Sequence, residues 1–86
     1  MFVIVTYDVG SKRVRKALRI CRKYLRSVHR SVFEGKLTER ELRCLKRELA
    51  RVIDPDHDSI RIYRLESTGF VSKHDIGPTV QPQQII

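Results

Sequence analysis

Phe2-Val3-Ile4-Val5-Thr6-Tyr7-Asp8-Val9 is the stretch on which the fold turns. Nearly every residue in it is β-branched or aromatic, the side chains that suit an extended, half-buried backbone. Apolar residues occupy both parities up to Tyr7, so both faces are covered, as in a central rather than an edge strand. Gly10 breaks the pattern. Downstream, Ser11 is a plausible N-cap, and Val14, Ala17, Leu18, Cys21, Leu25 and Val28 recur at helical spacing, which predicts a first helix over 11–26. Residues 28–37 read as one bent strand or as a strand with a short return arm, with Gly35 as the bend or bulge. Thr38-Glu39-Arg40-Glu41 is a capping box, Thr38 at the N-cap and Glu41 at N3. It opens a second helix with Leu42, Leu45, Leu49, Val52 and Ile53 as its apolar stripe, stopped by Asp54-Pro55. Ser59 to Leu65 is a further strand. The order β-α-β-α-β predicts an α+β, ferredoxin-like sandwich with two helices on one face of an antiparallel sheet.

At 86 residues this is one small domain with a marginal core. Residues 1–66 are expected to form it. Residues 67–86 read as a tail whose short apolar pieces, Phe70-Val71 and Ile85-Ile86, need a surface that one chain cannot supply; C-terminal strands completing a homodimer are the expectation. No apolar run approaches the roughly 20 residues of a membrane span, and no basic region precedes the apolar Met1–Val5 as in a signal peptide. A cytoplasmic protein with no membrane partner is expected. Cys21 and Cys44 are isolated inside helical patterns and read as reduced, buried thiols.

The charge is uneven. Lys and Arg number 18 against 10 Asp and Glu, a net of +8. Residues 1–33 hold nine basic side chains and one acid, Asp8, so this segment carries the whole excess, whereas residues 34–86 balance. Such a single-sign field is the footprint of a polyanion binder. Arg15, Arg19, Arg22 and Arg26 fall on one line, with no acid nearby to relieve their repulsion. Phosphate binding is therefore expected on the first helix, and the second, with mixed charges including a Glu39–Arg43 pair, reads as an ordinary solvated helix.

Asp8, at the carboxyl end of the first strand, can cap the following helix or hold a cation. One carboxylate per chain cannot build a hydrolytic metal centre, so the metal reading requires a second subunit's Asp8 alongside. His29, His57 and His74 are not spaced as metal pairs. Asp54, Asp56 and Asp58 resemble part of a calcium loop, but Pro55 interrupts it and the required Gly and Glu are missing. There is no phosphate loop, no GxGxxG and no nucleophile elbow. Tyr7 and Phe33 are strand aromatics, yet without the Gly-aromatic-Gly context of a base-stacking RNA module, which favours contact with the backbone.

Tyr7-Asp8-Val9 after an apolar strand, a basic helix, and Ser31-Val32-Phe33-Glu34-Gly35 before a capped helix resemble the second CRISPR-associated (Cas) protein family, from Met1 to about Leu65. The resemblance implies a ferredoxin-like homodimer that bridges CRISPR integrase dimers around DNA in spacer acquisition. It also implies a Mg²⁺-dependent endonuclease acting on RNA or DNA. In that reading Asp8 and Tyr7 are the catalytic residues and Asp8 is the metal-binding acid, one Mg²⁺ being shared by Asp8 of both subunits. Arg13 and Arg15 match the helix arginines; Arg19, Arg22, Arg26 and Arg30 extend the nucleic-acid surface, and Phe33 and Ser31 lie structurally near the site. The family often has Arg-Val-Gln where this chain has Ser27-Val28-His29, with Arg26 or Arg30 the available substitutes. A non-catalytic, nucleic-acid-bridging scaffold for the integrase is the alternative.

Overall fold

The computed structural model describes residues 1–65. Its elements are β1 (Phe2–Asp8), α1 (Val14–Tyr24), β2 (Arg26–His29), β3 (Val32–Lys36), α2 (Glu39–Val52) and β4 (Ser59–Leu65). They form an antiparallel sheet of order β2-β3-β1-β4 with both helices on one face, the ferredoxin-like sandwich. β1 is central, as its two-sided apolarity requires. Val3 and Val5, fully buried, face the helices, and Ile4, also buried, faces the other way. Phe33, opposite Val5, joins Ala17 and Cys21 of α1 and Leu42, Leu45 and Leu49 of α2 in the core. Truncating a side chain as enclosed as Leu45 costs about 2–5 kcal/mol.

Two local expectations are corrected, and the choice left open for residues 28–37 is settled. The first helix is shorter than 11–26: Gly10 carbonyl accepts from both Arg13 and Val14 N–H at 2.9 Å, so residues 11–13 form a turn and Arg13, not Ser11, is the N-cap, without a side-chain cap. Residues 26–36 form a hairpin of two strands, and the reversal lies at Arg30-Ser31, where Ser31 takes φ 64°. Gly35 is not the bend. It pairs with Val3 inside β3, and a Cβ there would stand 3.0 Å from Leu25 Cδ2, so the glycine admits the leucine that closes the core. The only ladder irregularity between β2 and β3 falls between Ser27 and His29.

The capping box of α2 forms as predicted. Thr38 Oγ1 accepts from Glu41 N–H at 3.0 Å, and Glu41 Oε1 accepts from Thr38 N–H at 2.8 Å. Glu39, however, is bonded by Arg64 of β4 rather than by Arg43. No helix of the described residues is long and apolar enough to cross a membrane. Phe70, Val71, Ile85, Ile86 and the rest of the 67–86 tail lie outside the described residues.

Candidate functional site

Asp8 ends β1, opposite Ser59 of β4, and is exposed. Strand alternation puts it on the helix-free face with Phe2, Ile4 and Thr6. Among the described residues its carboxylate takes part in no hydrogen bond or ion pair. It does not cap α1, whose N-cap lies five residues on. Both oxygens are thus free to ligate. No group of three His, Cys, Asp or Glu among the described residues could hold a metal ion. The donor set fits Mg²⁺, which takes one or two carboxylates and fills its shell with water and phosphate oxygens, only if two chains contribute.

Tyr7 belongs to the opposite face. Its ring lies 6.0 Å from that of Phe33 on the helix side, and its N–H donates to Ser31 carbonyl at 3.2 Å. Tyr7 and Asp8, neighbours in sequence, are therefore turned away from each other, and Tyr7, Phe33 and Ser31 fix the end of β1 rather than line a site with Asp8.

The arginines divide into two sets. Arg15, Arg19 and Arg22 are exposed on α1, and Arg30 on the turn after β2; none is paired with a carboxylate among the described residues. Arg26 reaches across the hairpin to Glu34 at 3.1 Å. Arg13 is committed to Asp58: its Nε donates to Oδ2 at 2.6 Å and its Nη2 to Oδ1 at 2.9 Å. The Asp58 side chain, fully enclosed, also accepts from Gly10 N–H at 2.9 Å and from Asp54 N–H at 2.8 Å. One carboxylate thereby ties the loop after Asp8 to the loop that leads into β4. The Arg13 guanidinium, above all, holds this carboxyl far below the usual carboxylate range, and the arginine is raised in turn. Gly10 has a steric reason too, because a Cβ there would lie 2.6 Å from Arg13 Nη2.

This hub was missed in the sequence. The Asp54–Asp58 spacing carried a signal, because Asp54 carbonyl accepts from His57 and Asp58 N–H at 3.1 and 2.7 Å in a tight turn. Asp54 Oδ1 accepts from Asp56 N–H at 3.0 Å, and His57 Nδ1 lies 2.9 Å from Oδ2; the first of these bonds, then the second, lowers the Asp54 carboxyl. The run is a self-bonded turn and not a cation loop. On the helix layer, Glu48 of α2 accepts from Lys23 and Tyr24 of α1. Glu48 is lowered mainly by the Lys23 bond, and the Tyr24 hydroxyl is pushed up to about 12 by its bond to Glu48. Burial pushes the Cys21 thiol up to about 11, which keeps it protonated and unreactive at neutral pH.

Residues 1–73 match the family model described as CRISPR associated protein Cas2. The chain is 46% identical over 77 residues to a protein of Frankia alni named CRISPR-associated endoribonuclease Cas2, covering 90% of this chain and 88% of the relative. It is 44% identical, with the same coverage, to a protein of that name from Thermotoga maritima. Among solved structures, Streptococcus pyogenes Cas2 superposes with a TM-score of 0.75 at 36% identity, covering 90% of this chain and 100% of that one. Another crystal structure titled cas2 gives 0.82 at 36%, covering 95% and 92%.

Proposed function

This chain belongs to the CRISPR associated protein Cas2 family, and on that premise we propose that it is a homodimeric, Mg²⁺-dependent endonuclease of CRISPR spacer acquisition, cleaving phosphodiester bonds of RNA or DNA. The observation that carries the reading is Asp8: an exposed carboxylate with no bonding partner among the described residues, at the end of the central strand, in a segment otherwise basic. Two chains opposed on their helix-free sheet faces bring Asp8 to Asp8. On that face Ile4 and Glu34 are buried, and opposite Ile4 the Tyr63 hydroxyl is enclosed without a hydrogen-bond partner among the described residues.

Asp8 and its symmetry mate would hold the ion, which supplies Lewis acidity toward phosphate oxygens. Arg15, Arg19 and Arg22 take the flanking phosphates, and Arg30 is placed to add another contact. Arg13 contributes indirectly: through Asp58 and Gly10 it fixes the loop that leaves Asp8. Tyr7, packed on Phe33, stiffens the strand end.

Asp8→Asn should reduce Mg²⁺-dependent cleavage of labelled RNA and DNA by more than about 100-fold, beyond the loss of an outer-shell partner. Nucleic-acid affinity should survive. Because Asp8 caps no helix, Asp8→Ala should change stability by no more than about 0.5 kcal/mol in urea denaturation. Cleavage that persists in Asp8→Asn would falsify the metal role. The integrase-bridging scaffold is the second reading, favoured by the orientation of Tyr7, which leaves Asp8 with no neighbouring catalytic group. A wild-type protein that binds but does not cleave across a Mg²⁺ titration would select it.

A further inference from the structure

In sequence α2 is a mixed-charge helix, with three acids against five basic residues. In the fold all three acids are occupied. Glu39 is bonded by Arg64 of β4, Glu41 closes the capping box, and Glu48 takes Lys23 and Tyr24 of α1. None of them interleaves the basic side chains along the exposed side. Leu42, Leu45 and Leu49 face the core, and on the opposite side Arg40, Arg43, Arg47 and Arg51 follow one another at steps of three and four residues, all exposed. That ridge is about 16 Å long at 1.5 Å per residue. Among the described residues Arg40, Arg43 and Arg47 bond no carboxylate, and the charge of Arg51 is felt by Glu48 without a bond between them. Like charges at this spacing repel, so a helix with no anion to bind has a reason to shed them.

We propose that the exposed side of α2 is a second phosphate-binding ridge, and that it works with the Arg15-Arg19-Arg22 line of α1 to seat one nucleic-acid duplex across the helix layer. The choice of ligand rests on the nucleic-acid reading above; the surface does not. α1 and α2 pack against each other on the same sheet face. Neighbouring helix axes lie about 8–10 Å apart, which matches the separation of the two backbones bordering a groove, about 6–12 Å. One arginine line then follows each strand. Arginine forks suit bidentate phosphate contact. Single strands without sequence preference are held by aromatic platforms, but no aromatic side chain is exposed among the described residues, and Tyr24 gives its hydroxyl to Glu48. The layer therefore reads a duplex backbone, not splayed bases.

The test is fluorescence anisotropy of a labelled, random-sequence duplex across a salt series, using the whole chain. Wild type is compared with Arg40→Gln/Arg43→Gln/Arg47→Gln and with Arg15→Gln/Arg19→Gln/Arg22→Gln. Each triple should flatten the log Kd against log salt slope by about 2 to 3, at roughly 0.9 per phosphate contact. The corresponding Arg→Lys triple on α2 should keep the slope. If the Gln triple does not fold at assay temperature, Arg47→Gln alone should flatten the slope by about 0.9. Wild-type affinity and slope in the α2 variant, with loss in the α1 variant, would overturn the second ridge and leave the proposed function standing. No change in either variant would overturn both surfaces. A matching single strand bound as tightly as the duplex at every salt would overturn the duplex assignment. Loss of binding to phosphatidylserine vesicles in the α2 variant, without loss of duplex binding, would reassign the ridge to a membrane surface and overturn the proposal.

Discussion

The two helices lie side by side on one sheet face, yet they begin in opposite ways. α2 starts with a reciprocal capping box and two acids in its first turn. α1 starts at Arg13 with no side-chain cap and no acid in its first turn. The macrodipole favours negative charge at a helix start, so α2 is stabilised locally and α1 is not. What holds α1 in place is distant in sequence: Asp58 grips Arg13 and Gly10 from the far side of the chain. A helix whose first turn lacks both acids and a side-chain cap relies on tertiary contacts for the order its own sequence withholds.

The largest effect should come from removing the distant support. Asp58→Ala leaves Arg13, Gly10 N–H and Asp54 N–H without their common acceptor, and its destabilisation in urea should exceed that of any cap mutation. Because the folded carboxyl is depressed, its contribution is present above the unfolded value of 3.8 and is lost as pH falls below it. Wild type should therefore lose stability between about pH 5 and 2, and Asp58→Asn should show a shallower loss. A steep acid limb retained in Asp58→Asn would show that another carboxyl carries it. Next, Thr38→Ala should cost about 0.5–2 kcal/mol, confined to α2, because one cap bond is lost and no other element leans on it. Hydrogen exchange that quickened equally in α1 would break the contrast between a self-capped and a remotely held helix. The smallest effect is a gain. Ser31→Gly should raise stability by up to about 1 kcal/mol, the left-handed penalty being partly offset by the freedom glycine adds to the unfolded chain. An unchanged urea midpoint would mean that the turn carries no strain.

The parts of the fold that were legible in sequence are those fixed by local chemistry. The alternation in Phe2–Asp8 marks a central strand, and Thr38 with Glu41 marks a helix start, because both signals span only a few residues. Gly35 misled because a glycine in a strand signals a bend as readily as a close approach, and only the position of Leu25 decides which. Ser31 gave no warning, since a serine seldom takes a left-handed conformation. Ser11, a good cap by type, points to too early a start for α1, while the bond that organises the turn comes from Asp58, 48 residues beyond Gly10. For the candidate site, Asp8 and the α1 arginines were legible as an isolated acid in a basic field. The pairing of Arg13, the opposed faces of Tyr7 and Asp8, and the diversion of every α2 acid were not, because each depends on what another element brings near.

The Asp58 carboxylate closes loops of 45 and 48 residues when it meets Arg13 and Gly10. The entropy cost of closing a loop rises with its length, whereas the β2–β3 hairpin and the α2 capping box join near neighbours. A contact made after the rate-limiting step leaves the folding rate almost untouched and slows escape from the native state. A clasp of that late kind is a kinetic latch: it sets how long the strand end carrying Asp8 persists once the molecule is folded, more than how quickly the molecule arrives there.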